Sequence, residues 1–325
     1  MQKLLVTALT LILAAAVTAA QGLGTESYAS AHLLSTVQGP SAEAMGRGGA
    51  FVAVIDPWSG NPAHVVAGDD QAIIVQHVNY DFSGGFETNL RSVKYLQPLG
   101  RNEAIMINIA ELDSNFWTIP GTPLKLKMRE RDVSILYGRR LDDNWTGGIA
   151  VAPMMDVNLT ASAGGASIVG IESTPKYGAR LGLHGTVDEN TALAVQYDWY
   201  REESVMRSPG SPALRDRYTS EILRAGAYRQ FGRLLVAADY VNGTLETDRG
   251  REVADLNGWF VGADYRLNRN LLLRAGSADG EFTCGAEIQL GDIVVKFSKA
   301  KNLFADQLAL FGDLDATQLT AEISW

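Results

Sequence analysis

From residue 71 to the end, apolar and polar positions alternate with period two in short runs separated by turn residues. In the last run Leu319, Ala321, Ile323 and Trp325 share one parity and Thr320, Glu322 and Ser324 the other. Trp259, Val261, Ala263, Tyr265 and Leu267 oppose Gly262, Asp264 and Arg266, and Leu193, Val195, Tyr197 and Trp199 oppose Gln196 and Asp198. Such alternation predicts strands with two different faces. Fourteen are predicted, at about 71–81, 88–97, 102–112, 130–141, 144–155, 176–187, 190–201, 218–230, 232–242, 257–267, 270–277, 281–290, 291–299 and 315–325.

The connections carry a second pattern. Short Gly-, Asn- and Asp-rich turns at 98–102, 142–144, 188–190, 231–233, 268–270 and 291–292 suit tight hairpins. Between them lie mostly longer stretches, at 82–87, 113–129, 156–175, 202–217, 243–256, 278–280 and 300–314. Alternation of short and long connections in an even-stranded chain predicts an all-β transmembrane antiparallel barrel of about fourteen strands, with the short turns on the periplasmic side. Aromatic residues gather at strand ends, among them Tyr80, Trp145, Trp199, Tyr240 and Trp325, as interfacial girdles do. A soluble sandwich also alternates, but it needs neither one-sided long loops nor a lipid-width apolar face.

The start of the chain fits export. Lys3, an apolar run over Leu4–Val17 and then Thr18-Ala19-Ala20 read as a signal peptide spanning residues 1–20, with cleavage after Ala19 or Ala20. A run of fourteen residues is too short for a mature membrane helix. A barrel is then the route by which an exported chain without a helical anchor becomes integral in the bacterial outer membrane. Without Lys3 the 28 basic residues become 27 against 37 acidic, a net charge of −10, with no basic face for nucleic acid. The single cysteine, Cys284, excludes an internal disulfide and is expected as an inert apolar residue on the lipid face.

Residues 21–70 do not read as barrel strands. Their centre, Pro40–Ala63, is rich in Gly and Ala and so has little side-chain bulk. Such a segment can be surrounded closely by other backbone, and its glycines permit sharp reversals. The expected organisation is residues 21–70 folded into the lumen as a plug and residues 71–325 as the barrel. Its fixing residues are expected to be Met45, Gly46, Gly48, Gly49 and Phe51, with the turn Asn61-Pro62-Ala63 as a rigid bend.

The pattern Met45-Gly46-x-Gly48-Gly49-Ala50-Phe51-Val52-Ala53-Val54, followed by Asn61-Pro62-Ala63, resembles the N-terminal signature of FadL-type outer-membrane channels. It also resembles that of the PorV/PorQ-type proteins of the type IX secretion system. The FadL resemblance implies uptake of hydrophobic small molecules, fatty acid or hydrocarbon-like, with sideways release at a kink in the third strand. That strand, about 102–112, contains neither Pro nor Gly. The PorV/PorQ resemblance implies the alternative, a barrel that docks or shuttles secreted proteins. Expected partners are outer-membrane lipid, the barrel-assembly machinery that reads a C-terminal aromatic strand ending here in Trp325, and a hydrophobic small molecule or secreted proteins.

Parity places a mixed set of charges on the lumen side: Arg180, Arg224, Arg266, Arg274 and Lys296 with Asp198, Asp239, Asp264, Glu287 and Glu322, and His184 beside them. Charges removed from bulk water are costly unless paired, so ion pairs bracing the wall and holding the plug are expected. No height shows the excess of one sign that a selectivity filter needs. Catalysis is not expected. His32, His64, His77 and His184 have no metal-ligand spacing, and no serine or carboxylate pair is placed beside His184 by spacing. No cofactor is expected. Two long connections are unusually apolar, with Phe116 and Trp117 in one and Leu303, Phe304 and Phe311 in the other. They are expected either to cover the barrel mouth or to meet an apolar ligand or a partner.

Overall fold

The computed structural model describes residues 42–47, 49–82, 85–118, 125–163, 166–207, 210, 212–248, 252–278, 280–301 and 314–325. Residues 1–20, expected as a signal peptide, with Gly48, Leu303, Phe304 and Phe311, lie outside the described residues. Fifteen strands form one sheet. They are β1 (Ala72–Phe82), β2 (Phe86–Pro98), β3 (Glu103–Ser114), β4 (Trp117–Thr118), β5 (Lys125–Arg140), β6 (Trp145–Ala163), β7 (Ala166–Asp188), β8 (Thr191–Arg207), β9 (Leu214–Phe231), β10 (Leu234–Thr247), β11 (Glu252–Arg266), β12 (Leu271–Ala278), β13 (Glu281–Leu290), β14 (Ile293–Ala300) and β15 (Leu314–Ser324). Each pairs antiparallel with its neighbours, β3 passes on to β5, and β15 closes on β1. The two-residue β4 only pairs with Lys125 and Leu126 of β5, so fourteen strands make the closed ring. Closure leaves no unpaired edge, the condition for a sheet in lipid.

Three of the short turns share one chemistry. Asp142 Oδ1 accepts from Asn144 N at 2.8 Å, Asp188 Oδ1 from Asn190 N at 2.8 Å, and Asn268 Oδ1 from Asn270 N at 2.9 Å. Each is an Asx turn that closes the hairpin with a side-chain oxygen. Gly232 (φ 61°) and Gly291 (φ 67°) make two other turns in the left-handed region.

Four stretches expected to be loops are partly or largely strand. β6 and β7 run 19 and 23 residues, and their ladder continues through Asn158↔Glu172 to Ala163↔Ala166. Thr244↔Glu221 and Glu203↔Arg217 likewise continue β9 and its partners into 202–217 and 243–256, and β5 begins at Lys125 inside the stretch 113–129. The reason lies on the outer face. Ile105, Ile107 and Ile109 of β3 point outward, and the next two outward positions are Glu111 and Asp113. Neighbouring strands switch at the same level: Arg129 and Arg131 pair with Glu111, and Lys127 with Asp113 at 3.4 Å. Above that belt the outward positions turn polar and charged while Leu126, Leu159, Ala161 and Met206 pack together on the inner face, so the lipid-facing apolar period ends while the backbone ladder goes on. Below it, the outward apolar positions, from two on β1 (Ile73, Val75) to five on β13, make up the apolar band of a barrel in lipid.

The wall is not uniformly zipped. β3 pairs without a break with β2 and with β5, so the third strand has no interruption. The break falls between β6 and β7 instead. Val151↔Ala179 and Val157↔Ser173 are paired, but residues 152–156 and 174–178 between them form no pairs with each other. Pro153 and Pro175 lie in these stretches, and each lacks a ladder N–H. Register shifts beside them, between Val133 and Ile135 toward β6 and between Pro175 and Tyr177 toward β8, mark the same zone.

Candidate functional site

The segment inside the barrel begins as one helical turn, α1 (Ala42–Gly46), and reverses at Gly49 (φ 85°), whose N donates to Ala44 O at 2.8 Å. A Cβ at Gly49 would stand 2.8 Å from the Phe260 ring, so close approach and a left-handed backbone both require glycine there. Met45, Gly46 and Phe51 are buried against the wall.

Wall charges grip this first half. Asp239 accepts from Phe51 N at 2.8 Å and Val52 N at 2.9 Å. Arg224 donates to Gly49 O at 2.6 Å and pairs with Asp239 at 3.0 Å. Its guanidinium carbon lies 4.2 Å from the Phe51 ring centroid and 5.1 Å from that of Phe260, a cation between two π faces. Next to this, Arg47 of the plug pairs with Asp264 at 2.8 Å. Arg274 meets Asp264 at 3.5 Å and Glu287 at 2.6 Å. Thr283 Oγ1 donates to Gly46 O at 3.2 Å. Lys296 pairs with Glu322 at 2.6 Å.

The second half turns at Asp56–Ser59 and enters a 3₁₀ helix, η1 (Pro62–Ala67). Asn61 (φ −72°, ψ 114°) is extended, as a residue before proline should be. Its Oδ1 caps Ala63 N at 3.1 Å and its Nδ2 donates to Val52 O at 2.9 Å, which ties the two halves together. Shape holds η1. On the inner wall Gly138 of β5, Gly148 of β6 and Gly182 of β7 lie side by side in register. A Cβ at Gly148 would stand 2.3 Å from the Pro62 carbonyl, at Gly138 2.7 Å from Pro62 O, and at Gly182 2.1 Å from Asn61 Oδ1. These wall glycines escape a reading that looks for plug chemistry in the plug. The signal that finds them is glycine at lumen parity on consecutive strands.

Two wall cations reach this half as well. Arg180, paired with Asp198, donates to Gly60 O at 3.0 Å, and Lys94 to Trp58 O at 3.0 Å. His184 meets the plug's His64 edge-on with ring centroids 5.1 Å apart. Ser59 Oγ lies 3.3 Å from His64 Nδ1, a serine beside a histidine that spacing does not reveal. Both residues are buried and the hydroxyl donates to Asp56 O at 2.8 Å, so it faces no substrate. Arg266 stands apart from this network, exposed at the periplasmic mouth. Cys284 alternates with inward Thr283 and Gly285 and therefore faces out. Trp325 is exposed beside Gln71, with Nε1 3.2 Å from its Oε1. Phe116 is exposed under Lys127, whose Nζ is 5.5 Å from the ring. Among the described residues no group of three His, Cys, Asp or Glu is arranged to hold a metal ion.

The plug lies between two cavities. The one at the periplasmic ends of the strands has about 500 Å³ and is lined by charged residues of both signs, including Asp56, Asp69, Arg233 and Arg266. The one above the plug has about 180 Å³. Met45 and Gly60 form part of its floor, and Val78, Leu90, Met106 and Leu136 part of its walls. Val151, Ala152, Gly178 and Ala179, at the lower edge of the unzipped seam, also line it.

These features define a class, a fourteen-stranded barrel of the outer-membrane type with its N-terminal segment inside. The fold is that of FadL-type barrels. The structure of the Ralstonia pickettii toluene transporter TbuX matches 89% of this chain and 98% of its own at 16% identity and a TM-score of 0.58. The Pseudomonas putida toluene transporter TodX matches 88% and 97% at 16% and 0.57, and a Pseudomonas aeruginosa FadL homologue 88% and 98% at 13% and 0.57. No family model and no curated protein matches the sequence.

Proposed function

We propose that this protein is an outer-membrane channel of FadL type for uptake of hydrophobic small molecules, made with a cleaved signal peptide and inserted by the barrel-assembly machinery. One observation carries the reading: the plug separates a partly apolar chamber on its outer side from a charged vestibule on its periplasmic side. A molecule held in the upper chamber meets apolar side chains, which favour transfer out of water. The neighbours of like fold include toluene transporters, which supports the same ligand class. Sideways passage into the membrane belongs to the β6–β7 seam, because that seam borders the chamber and lies at the level where the outer face turns from apolar to charged. The ion pairs around Asp239 and Asp264 hold the plug in place and do not filter ions. Lateral passage leaves that plug undisturbed.

The test is uptake of labelled toluene and of a long-chain fatty acid by Gram-negative cells with and without the protein. Faster entry of at least one hydrophobic compound is expected. Uptake equal in both strains, with folded barrel present in the membrane, overturns the reading. Copurification with secreted proteins under the same conditions would then favour the docking alternative.

A further inference from the structure

We propose that the chamber above the plug binds a one-ring amphiphile that brings a hydroxyl donor, a phenol, in preference to a bare hydrocarbon or a long acyl chain. The inference rests on the uptake reading and narrows its ligand.

Size sets the first limit. A dry apolar cavity of about 150 Å³ accommodates benzene. The chamber's 180 Å³ therefore suits one ring with one or two substituents and is too small for a long acyl chain.

The walls set the second limit. Val78, Leu90, Met106, Leu112 and Leu136 give the chamber its apolar lining. Set among them is a polar arc on three adjacent strands: Gln76 on β1, Ser92 on β2 and Asn108 on β3. Gln76 stands directly across from Ser92, and Asn108 across from Lys94, two residues farther along β2. Gln76 and Ser92 are only 3% and 4% exposed. Yet Gln76 Oε1, Ser92 Oγ and Asn108 Oδ1 are buried and make no hydrogen bond within the protein.

The orientation of Asn108 is fixed. Its amide nitrogen donates to Ser134 Oγ at 3.2 Å and Asp132 Oδ2 at 3.4 Å, which turns the carbonyl oxygen the other way. Two unpaired amide oxygens that can only accept, with a hydroxyl that can accept beside them, call for a ligand that donates. A ring bearing only methyl groups leaves them desolvated and unpaired, and buried polar groups of that kind select strongly against the analogue lacking the donor. Asp132 and Glu130 line the chamber together with Lys94 and Arg180, so its charges balance and its selectivity falls to size and to the unpaired oxygens.

The experiment uses the full chain purified in detergent, with p-cresol, toluene and palmitate as probes in ligand-detected NMR titrations. p-Cresol is expected to bind at least about tenfold more tightly than toluene, an ordinary effect for one hydrogen bond to a buried acceptor, and palmitate is not expected to displace it. Gln76→Leu and Asn108→Leu should each reduce p-cresol binding about tenfold while leaving toluene binding equal or stronger. Heat-modifiable gel migration reports that each barrel is folded. Ser92→Ala, a one-atom deletion, serves if a leucine variant does not fold, and should also weaken p-cresol selectively. Equal binding of p-cresol and toluene by the wild-type protein overturns the proposal, as does a preference untouched by these variants. In either case toluene uptake by cells persists, so the channel reading survives. Failure of every probe to bind overturns the proposal too, and the cell uptake assay then decides the channel reading separately.

Discussion

Residues 46–52 of the plug meet the barrel through charged side chains in addition to close packing on the wall glycines Gly226, Gly262 and Gly285, whereas residues 60–66 meet it mainly through closely packed backbone. The first contact is directional. Asp239 takes two plug N–H groups, Arg224 takes a plug carbonyl, and the two neutralise each other at 3.0 Å. The second is permissive. Gly138, Gly148 and Gly182 remove side chains from the wall, and the 3₁₀ turn at Pro62 fills the groove they leave. Charges specify one arrangement and are costly if any member is missing. Glycines specify little by themselves, but a methyl group at any of the three would collide with plug atoms that have no room to yield.

The comparison can be broken most strongly at the charged end. Asp239→Ala leaves Arg224 buried without its carboxylate and two plug N–H groups unpaired, at a cost on the order of 3–5 kcal/mol. The plug should come loose while the barrel, held by its own ladder, stays folded. Planar-bilayer conductance should rise from near zero to that of an open pore, and protease should cut within residues 40–63. Replacing the pair together, as Arg224→Met with Asp239→Leu, should recover part of the loss, because no lone charge remains. Wild-type conductance in the single variant would show that these charges do not hold the plug.

At the shape-held end, Gly148→Val should cost roughly 1–3 kcal/mol through overpacking. Its Cβ would lie 2.3 Å from a carbonyl, and backbone cannot swing aside as a long side chain can. The unfolding midpoint should fall, and protease should reach residues 60–66 before residues 46–52. Cleavage in the opposite order would mean the two ends are not independent.

The seam beside the shape-held end sharpens the contrast further. Continuing the register from Val151↔Ala179 sets Ala152 opposite Gly178. Ala152→Cys with Gly178→Cys, in a Cys284→Ala background, should close the seam when oxidised. Hydrocarbon uptake should then fall by at most about tenfold, a change of about 1.4 kcal/mol in barrier, and recover on reduction. Uptake indifferent to the disulfide would remove the seam from the route. The smallest effect is expected on the outer belt. Glu111→Ala breaks the exposed contacts with Arg129 and Arg131 and should move the melting temperature by no more than about a degree, as exposed pairs do.

Much of this was legible in the chain. Period-two alternation and Asx-type turns are local properties, so strand number, hairpin order and the side of the wall each residue faces follow from reading along the sequence. Where strands stop was less legible. Above the charged belt the lipid-facing apolar period ends, and β6 and β7 continue through 156–175 on backbone hydrogen bonds that every sequence can make. The small-residue run ending at Ala63 identified a segment fit for enclosure, because bulk is a property of composition.

What encloses that segment could only be decided by the closed barrel. Gly148 and Pro62 are far apart in sequence and meet because shear and closure bring three glycines to one height. Arg224 and Asp239 both read as lumen charges, but only the register opposite the Gly49 reversal makes them a clamp on plug backbone. The seam is likewise a tertiary outcome. Pro153 and Pro175 are two ordinary prolines in the sequence, and they unzip the wall because pairing sets them in the same stretch of one ladder. The chain itself therefore determined the repeating unit and the segment without bulk. The three-dimensional ring decided which groups meet, because contact across a lumen depends on strand register summed around the whole barrel and not on any local pattern.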